Sequence, residues 1–356
     1  MPVSGIKITK HGPPSQAELE LRHRIKAADR DPFGWFLKLA RAPDERIASF
    51  DIAEFNLLAG TNLPKLERLN ILKCLDILDA WMLLIQATTE RELPHFEKNP
   101  SNFWDSLCSF KMLVMVTVLQ RDLGVRYYLP FSEGDYDARD CRNHFIYGII
   151  SGHGGTCATL PMLYVAIGRR LGYPLFLVHA KEHLFVRWEG QGERFNIEAT
   201  SLGFEPRDDA YFRDSPRPLT TQDLESGKFL KTLTKREELA ISLYERGWCL
   251  RDNLHMAQAL SAFLLAKQFN PGCTFINAQL GITEVLWKAF DEAQDAAKAK
   301  GRDRFELDEV AIQQVDRKYS KDIVKWAVKD LKRMKRIHGR AALLCDDTNL
   351  KATKQQ

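Results

Sequence analysis

The sequence predicts an α+β fold that is mainly helical, with one small antiparallel sheet and a C-terminal helical-repeat domain. Three observations predict it. Apolar residues recur at steps of three and four from about residue 18 to 123, as on one face of a helix. Three short apolar runs at 175–179, 183–188 and 194–199 are set apart by turns, as paired strands are. From residue 235 the helical spacing returns, now with signs of an internal repeat.

In chain order, residues 1–17 read as a loose tail punctuated by Gly12, Pro13 and Pro14. Leu66, Leu69, Leu72, Leu75, Leu78 and Met82 define one helix face, and the apolar stretch 110–123 ends at Gly124, a residue suited to a C-cap. A helical stretch near 143–150 leads into the turn-rich loop Ser151-Gly152-His153-Gly154-Gly155. A helix from about 157 to 171 follows, with Leu160, Leu163, Tyr164, Ile167 and Leu171 on one face and Gly172 and Pro174 to stop it. In the strands, Leu184, Val186 and Trp188 alternate with Phe185 and Arg187, and Gly190-Gln191-Gly192 turns the chain before the third. Residues 208–218 are polar and proline-bearing, and read as linker. Beyond 235, Gly247, Ala259, Phe263, Ala266 and Pro271 are spaced as in the tetratricopeptide pattern, whose period is ~34 residues. Leu280-Gly281 and Ala293 continue it one period on; an ordinary helical hairpin is the plainer alternative.

Composition narrows the function classes. A chain of 356 residues has room for about two domains. Its 45% hydrophobic and 28% charged residues are ordinary globular usage. The net charge is +4, but residues 317–340 hold ten Lys and Arg against two Asp, a local +8 that leaves the remainder at −4. A globally basic nucleic-acid binder is therefore not indicated. On that segment Ile323, Trp326, Ala327, Leu331, Met334 and Ile337 fall on one side, as in a helix capping the repeat, with contact to an acidic protein, anionic lipid or nucleic acid as the functional alternative. Seven scattered cysteines, with no C-x-x-C pair, fit a reducing compartment. No signal-like apolar region opens the chain, and no apolar run approaches the ~20 residues of a membrane span, so a cytoplasmic location is expected. Cys141 and His144 are three apart but have no second pair to complete a zinc site, and Gly152-His153-Gly154-Gly155 lacks the Lys-Ser/Thr of a phosphate loop. No metal or cofactor is called for.

The chemistry concentrates in residues 154–200. Cys157 stands behind a glycine loop at the start of a helix, where unpaired N–H groups and the helix dipole favour thiolate over thiol. His183 opens a strand 26 residues later, and Glu198 follows 15 residues on, near the end of the next strand. A helix packed on a short antiparallel sheet can bring the three together as nucleophile, base and orienting carboxylate. Each has a plainer reading: Cys157 as a small buried hydrophobe, His183 bonded to a backbone carbonyl, Glu198 paired with Arg194. His179 is a rival base, Asp208 and Asp209 rival carboxylates. His153 and Asn143 are candidate lining or oxyanion-donating groups, with a helix cap or surface position as the alternative for Asn143.

This stretch resembles the transglutaminase-like superfamily, and within it the SirB1 type of protein. The resemblance rests on Gly154-Gly155-Thr156-Cys157, Arg169-Arg170-Leu171-Gly172-Tyr173-Pro174 and His183-Leu184-Phe185-Val186-Arg187. Asp122-Leu123-Gly124-Val125 is similar to the family's element before the core, and the helical tail is similar to those of SirB1 relatives. It spans roughly residues 30–300, with the specific residues in 152–200. It implies a papain-like core with a Cys-His-Asp/Glu arrangement, here Cys157, His183 and Glu198, acting on peptide or carboxamide bonds through a thioester. Many SirB1-type proteins lack the cysteine that this sequence keeps, and the superfamily more often has aspartate where Glu198 stands. The expected organisation is a tail at 1–29, a transglutaminase-like domain at 30–232, a tetratricopeptide-like domain at 233–345 and a tail at 346–356. Expected partners are a protein or peptide substrate and a protein bound by the helical repeat. The competing class is a non-catalytic scaffold that retains the fold.

Overall fold

A computed structural model describes residues 16–134, 136–300, 312 and 319–342. The tail expected at 346–356 lies outside them, as does that at 1–17 apart from its last two residues. Before the sheet come α1 (Gln16–Arg30), α2 (Pro32–Ala40), α3 (Asp44–Ala48), α4 (Ile52–Ala59), α5 (Ile71–Lys98), α6 (Leu107–Thr117), α7 (Leu129–Glu133), α8 (Ile146–Ile150) and α9 (Thr159–Arg170). Strands β1 (Leu175–Ala180), β2 (His183–Gly190) and β3 (Glu193–Ile197) form one antiparallel sheet in the order β1-β2-β3. Then come α10 (Asp209–Asp214), α11 (Thr221–Glu225), α12 (Lys235–Asp252), α13 (Met256–Phe269), α14 (Thr274–Ala299) and α15 (Lys321–Ala342). The mainly helical fold with a small antiparallel sheet and C-terminal helices is what the sequence predicts.

Local signals account for these boundaries. Asp51 caps α4 by accepting from the backbone N–H of Ala53 and Glu54, and Thr234 with Glu237 closes a capping box on α12. The β2–β3 hairpin pairs Gly190 with Glu193, so its loop is Gln191-Gly192, both at positive φ as a tight hairpin turn requires. Helix α5 departs from the predicted face. Asn70 caps it through the Lys73 N–H, so Leu66 and Leu69 precede it. Its buried stripe is Ile71, Cys74, Leu78, Trp81, Ile85 and Thr88. The leucine ladder ran across the true starting point, and a helical period counted from the wrong origin selects the neighbouring stripe.

One apolar core joins α5, α6 and α9 to the sheet, with Phe110, Met115, Leu163, Val186 and Trp188 at its centre. A second runs through α2, α4, α12 and α13, where Phe36, Phe55, Leu243, Phe263 and Phe269 are buried together. Polar ties hold α12 on the same body. Arg169 of α9 meets Glu238 through Nη1 and Nη2 at 2.7 and 2.6 Å, and Arg246 donates to the carbonyls of Ala59 and Thr61 at 2.8 Å. Glu238 is fully buried, and a bidentate guanidinium is the partner such a carboxylate needs. Two further sequence readings change. The segment 208–218 is not linker: α10 lies within it and seats Phe212 fully buried against Phe185, ring centroids 3.7 Å apart. On α15 the buried apolar residues are Ala327, Leu331 and Met334, while Trp326 is 45% exposed, because the packed stripe is narrower than a simple wheel suggests.

Candidate active site

Cys157 lies in the turn between the glycine loop and α9. The helix begins two residues later than the sequence suggests, at Thr159, although a first turn bond already runs from Leu160 N–H to Thr156 C=O at 3.1 Å. Gly154 at φ +111° makes the approach possible: a Cβ there would meet Tyr128 at 3.2 Å, in a backbone region that L side chains avoid. The loop is pinned on both sides. Gly155 donates to Arg126 C=O at 3.0 Å and accepts from Tyr128 N–H at 2.8 Å. Thr156 takes the Thr159 hydroxyl as acceptor for its N–H at 2.8 Å and gives its own hydroxyl to Asn143 C=O at 3.1 Å. Cys157 is half-buried, whereas Cys74, Cys108, Cys141 and Cys249 are buried.

His183 begins β2, antiparallel to β1. Its Nε2 lies 2.7 Å from Glu198 Oε2, and Cys157 is near enough to act on its charge. That leaves Nδ1 as the ring nitrogen available to sulfur. Glu198 sits one residue past β3, and its other oxygen accepts from Thr200 N–H at 2.9 Å and the Thr200 hydroxyl at 2.6 Å. Phe212 lies nearly parallel to the His183 ring, at 6.4 Å between centroids. Burial would lower the imidazole, but Cys157 and Glu198 together outweigh it and push His183 up to about 9. Burial would raise the Glu198 carboxyl, but His183 and Thr200 hold it below its ordinary range. The ring therefore keeps its proton at neutral pH, between sulfur on one side and a carboxylate on the other.

The remaining candidates fall elsewhere. His179 lines the same cavity, yet burial takes it down to about 4, so its ring is neutral. Asp208 caps α10, and Asp209 binds Arg187, Arg194 and Asn196 at 2.5 to 2.8 Å, so neither reaches His183. Arg194 is engaged with Asp209 and Glu189 rather than Glu198. Asn143 is buried and accepts from His153 Nε2 at 2.9 Å, while its amide donates to Asp137 C=O at 3.1 Å. It is not a surface residue, and its bond to His153 braces the glycine loop. Among the described residues no group of three metal-binding side chains occurs, and no helix is long and apolar enough to cross a membrane.

Two features escaped the sequence. Tyr127 bridges Gly155 beside the site, and burial, with the nearby charges of Cys157 and Glu198, pushes its phenol up to about 12, so it stays a hydroxyl donor. The other is the cavity itself, about 380 Å³. Cys157, His183 and Leu184 line it. Tyr244, Glu245 and Trp248 of α12, with Phe275 and Ile276 of α14, line it as well. No local signal announces a wall contributed from some 90 residues away.

The glycine loop, helix, antiparallel hairpin and Cys-His-Glu cluster occupy one continuous stretch of chain. No curated protein and no solved structure matches the chain significantly. Residues 74–214, which hold that whole stretch, match the family model described as the transglutaminase-like superfamily, and this part of the chain is a transglutaminase-like domain.

Proposed function

We propose that the protein is a cysteine acyl-transfer enzyme of SirB1 type, with Cys157 as nucleophile, His183 as base and Glu198 as the group that orients the ring. The observation that carries this reading is the His183 imidazole, held by Glu198 at 2.7 Å and lining one cavity with Cys157. Sulfur attacks a peptide or carboxamide carbonyl while the imidazolium donates its proton to the departing amine or ammonia. A thioester on Cys157 remains, and water or an amine resolves it. The outcome is proteolysis, deamidation or amide transfer according to what reaches the cavity. Tyr127, a protonated phenol next to Cys157, is a candidate donor to the developing oxyanion.

The helices after 235 are read as tetratricopeptide-like. In support, Gly247 of α12 faces Phe263 of α13 so closely that a Cβ would lie 2.6 Å from the ring, the small-against-large contact of a helical repeat. Such helices suit the recruitment of a protein substrate.

Competitive labelling with iodoacetamide near neutral pH tests the catalytic reading. Cys157 is expected to react at least about tenfold faster than the other cysteines, and His183→Ala to abolish that advantage. Equal reactivity, or no effect of the histidine change, would leave only a scaffold.

A further inference from the structure

A second histidine–carboxylate pair faces the same cavity. His144 Nδ1 lies 2.5 Å from Glu245 Oε2, and each side chain is 12% exposed. Both residues line the cavity together with Cys157. A carboxylate only accepts, so the proton of a neutral His144 ring sits on Nδ1 and the Nε2 lone pair is open. The backbone fixes the placement of this ring. Asn143 C=O accepts the Thr156 hydroxyl at 3.1 Å, so His144 and Cys157 each follow directly on one member of a hydrogen-bonded pair. Glu245 comes from α12, so a C-terminal helix orients a ring carried by the transglutaminase-like domain.

We infer that His144 is the base for the acyl acceptor and Glu245 its positioning residue. This rests on the reading of Cys157 as nucleophile. Once the thioester has formed, the incoming H–X, water or an amine, enters from the α12 side. As the X–C bond forms, its proton passes to His144 Nε2, and the C–S bond breaks. The sulfur leaves as thiolate beside a neutral His183, and the resting pair re-forms when His144 releases its proton to solvent and His183 takes one up from it. His183 thus serves the first half-reaction and His144 the second.

p-Nitrophenyl acetate tests this without knowledge of the natural substrate. Release of p-nitrophenol and the intact mass of the protein are followed from the first turnover. Wild type is expected to show a burst of about one equivalent followed by turnover. His144→Gln retains an amide able to donate to Glu245 but lacks the basic ring nitrogen. It is expected to keep the burst within about twofold while turnover falls about 100-fold and the acetyl adduct on Cys157 persists. In His144→Ala, added imidazole is expected to restore deacylation, which a purely structural role would not allow. Deacylation of His144→Gln at the wild-type rate, or a parallel fall in burst and turnover, would overturn the inference and leave Cys157 as nucleophile. A wild type with no burst and no adduct, indistinguishable from Cys157→Ala, would overturn the catalytic reading itself.

Discussion

The two sides of the cavity are built on opposite plans. On the hairpin side, Cys157, His183 and Glu198 come from one stretch of 42 residues, and antiparallel pairing of β2 with both neighbours sets the spacing of the histidine and the carboxylate. On the helical side, His144, Glu245 and Phe275 come from three distant segments, held in place by long-range ties such as Arg169 to Glu238 and Phe55 to Phe269. The lesson is one of range. Chemistry that depends on a local motif survives as a local motif, whereas the walls that decide what enters depend on packing across the whole molecule.

That contrast can be broken or sharpened by mutation. The largest effect is expected on the hairpin side: Cys157→Ala or His183→Ala should lower acyl transfer by about 10³-fold or more, measured as turnover of an activated ester. Next comes the tie between the sides. Arg169→Ala strands the buried Glu238 carboxylate and should cost about 3–5 kcal/mol, read by denaturant unfolding. Gly247→Leu should cost about 1–3 kcal/mol by the same measurement, because Phe263 occupies the space a side chain would need. Trp326→Ala should stay within about 0.5 kcal/mol, because the ring is largely in solvent.

A pH series separates the two sides further. His183 is raised from 6.5 to about 9 in the folded chain, so its contribution to stability is complete below pH ~6.5 and is lost as pH rises through 9. Glu198 is lowered, so its contribution is present above pH ~4.5 and is lost as pH falls through its folded value. The Tm difference between wild type and His183→Asn should therefore shrink between pH 7 and 10. A difference that grew over that range would contradict the assignment of the proton to His183.

Much of the hairpin side was legible in the sequence. Glycines before Cys157, the helix stop at Gly172, the alternation in β2 and the turn at Gly190 are local signals, and the three strands fall within two residues of where periodicity puts them. The candidate triad lies in the same stretch, and one of its contacts, His183 to Glu198, joins the start of β2 to the residue after β3. What stayed hidden had no local signature. Leu66 and Leu69 imitate the α5 stripe although the chain there is turn. Asp209 looks like a linker residue until Arg187, almost wholly buried in β2, is seen to need its carboxylate. In the sequence His144 reads only as half of an incomplete zinc pair with Cys141, because Glu245 lies 101 residues away.

Everything catalytic in this account turns on one ring that joins sulfur to carboxylate and keeps its proton at neutral pH. An NMR titration of the His183 ring nitrogens tests that directly. The expected result is a midpoint near 9 in the wild type that falls in Cys157→Ala and in Glu198→Gln, because each partner raises it. A midpoint near 6.5 that neither substitution moves would contradict it.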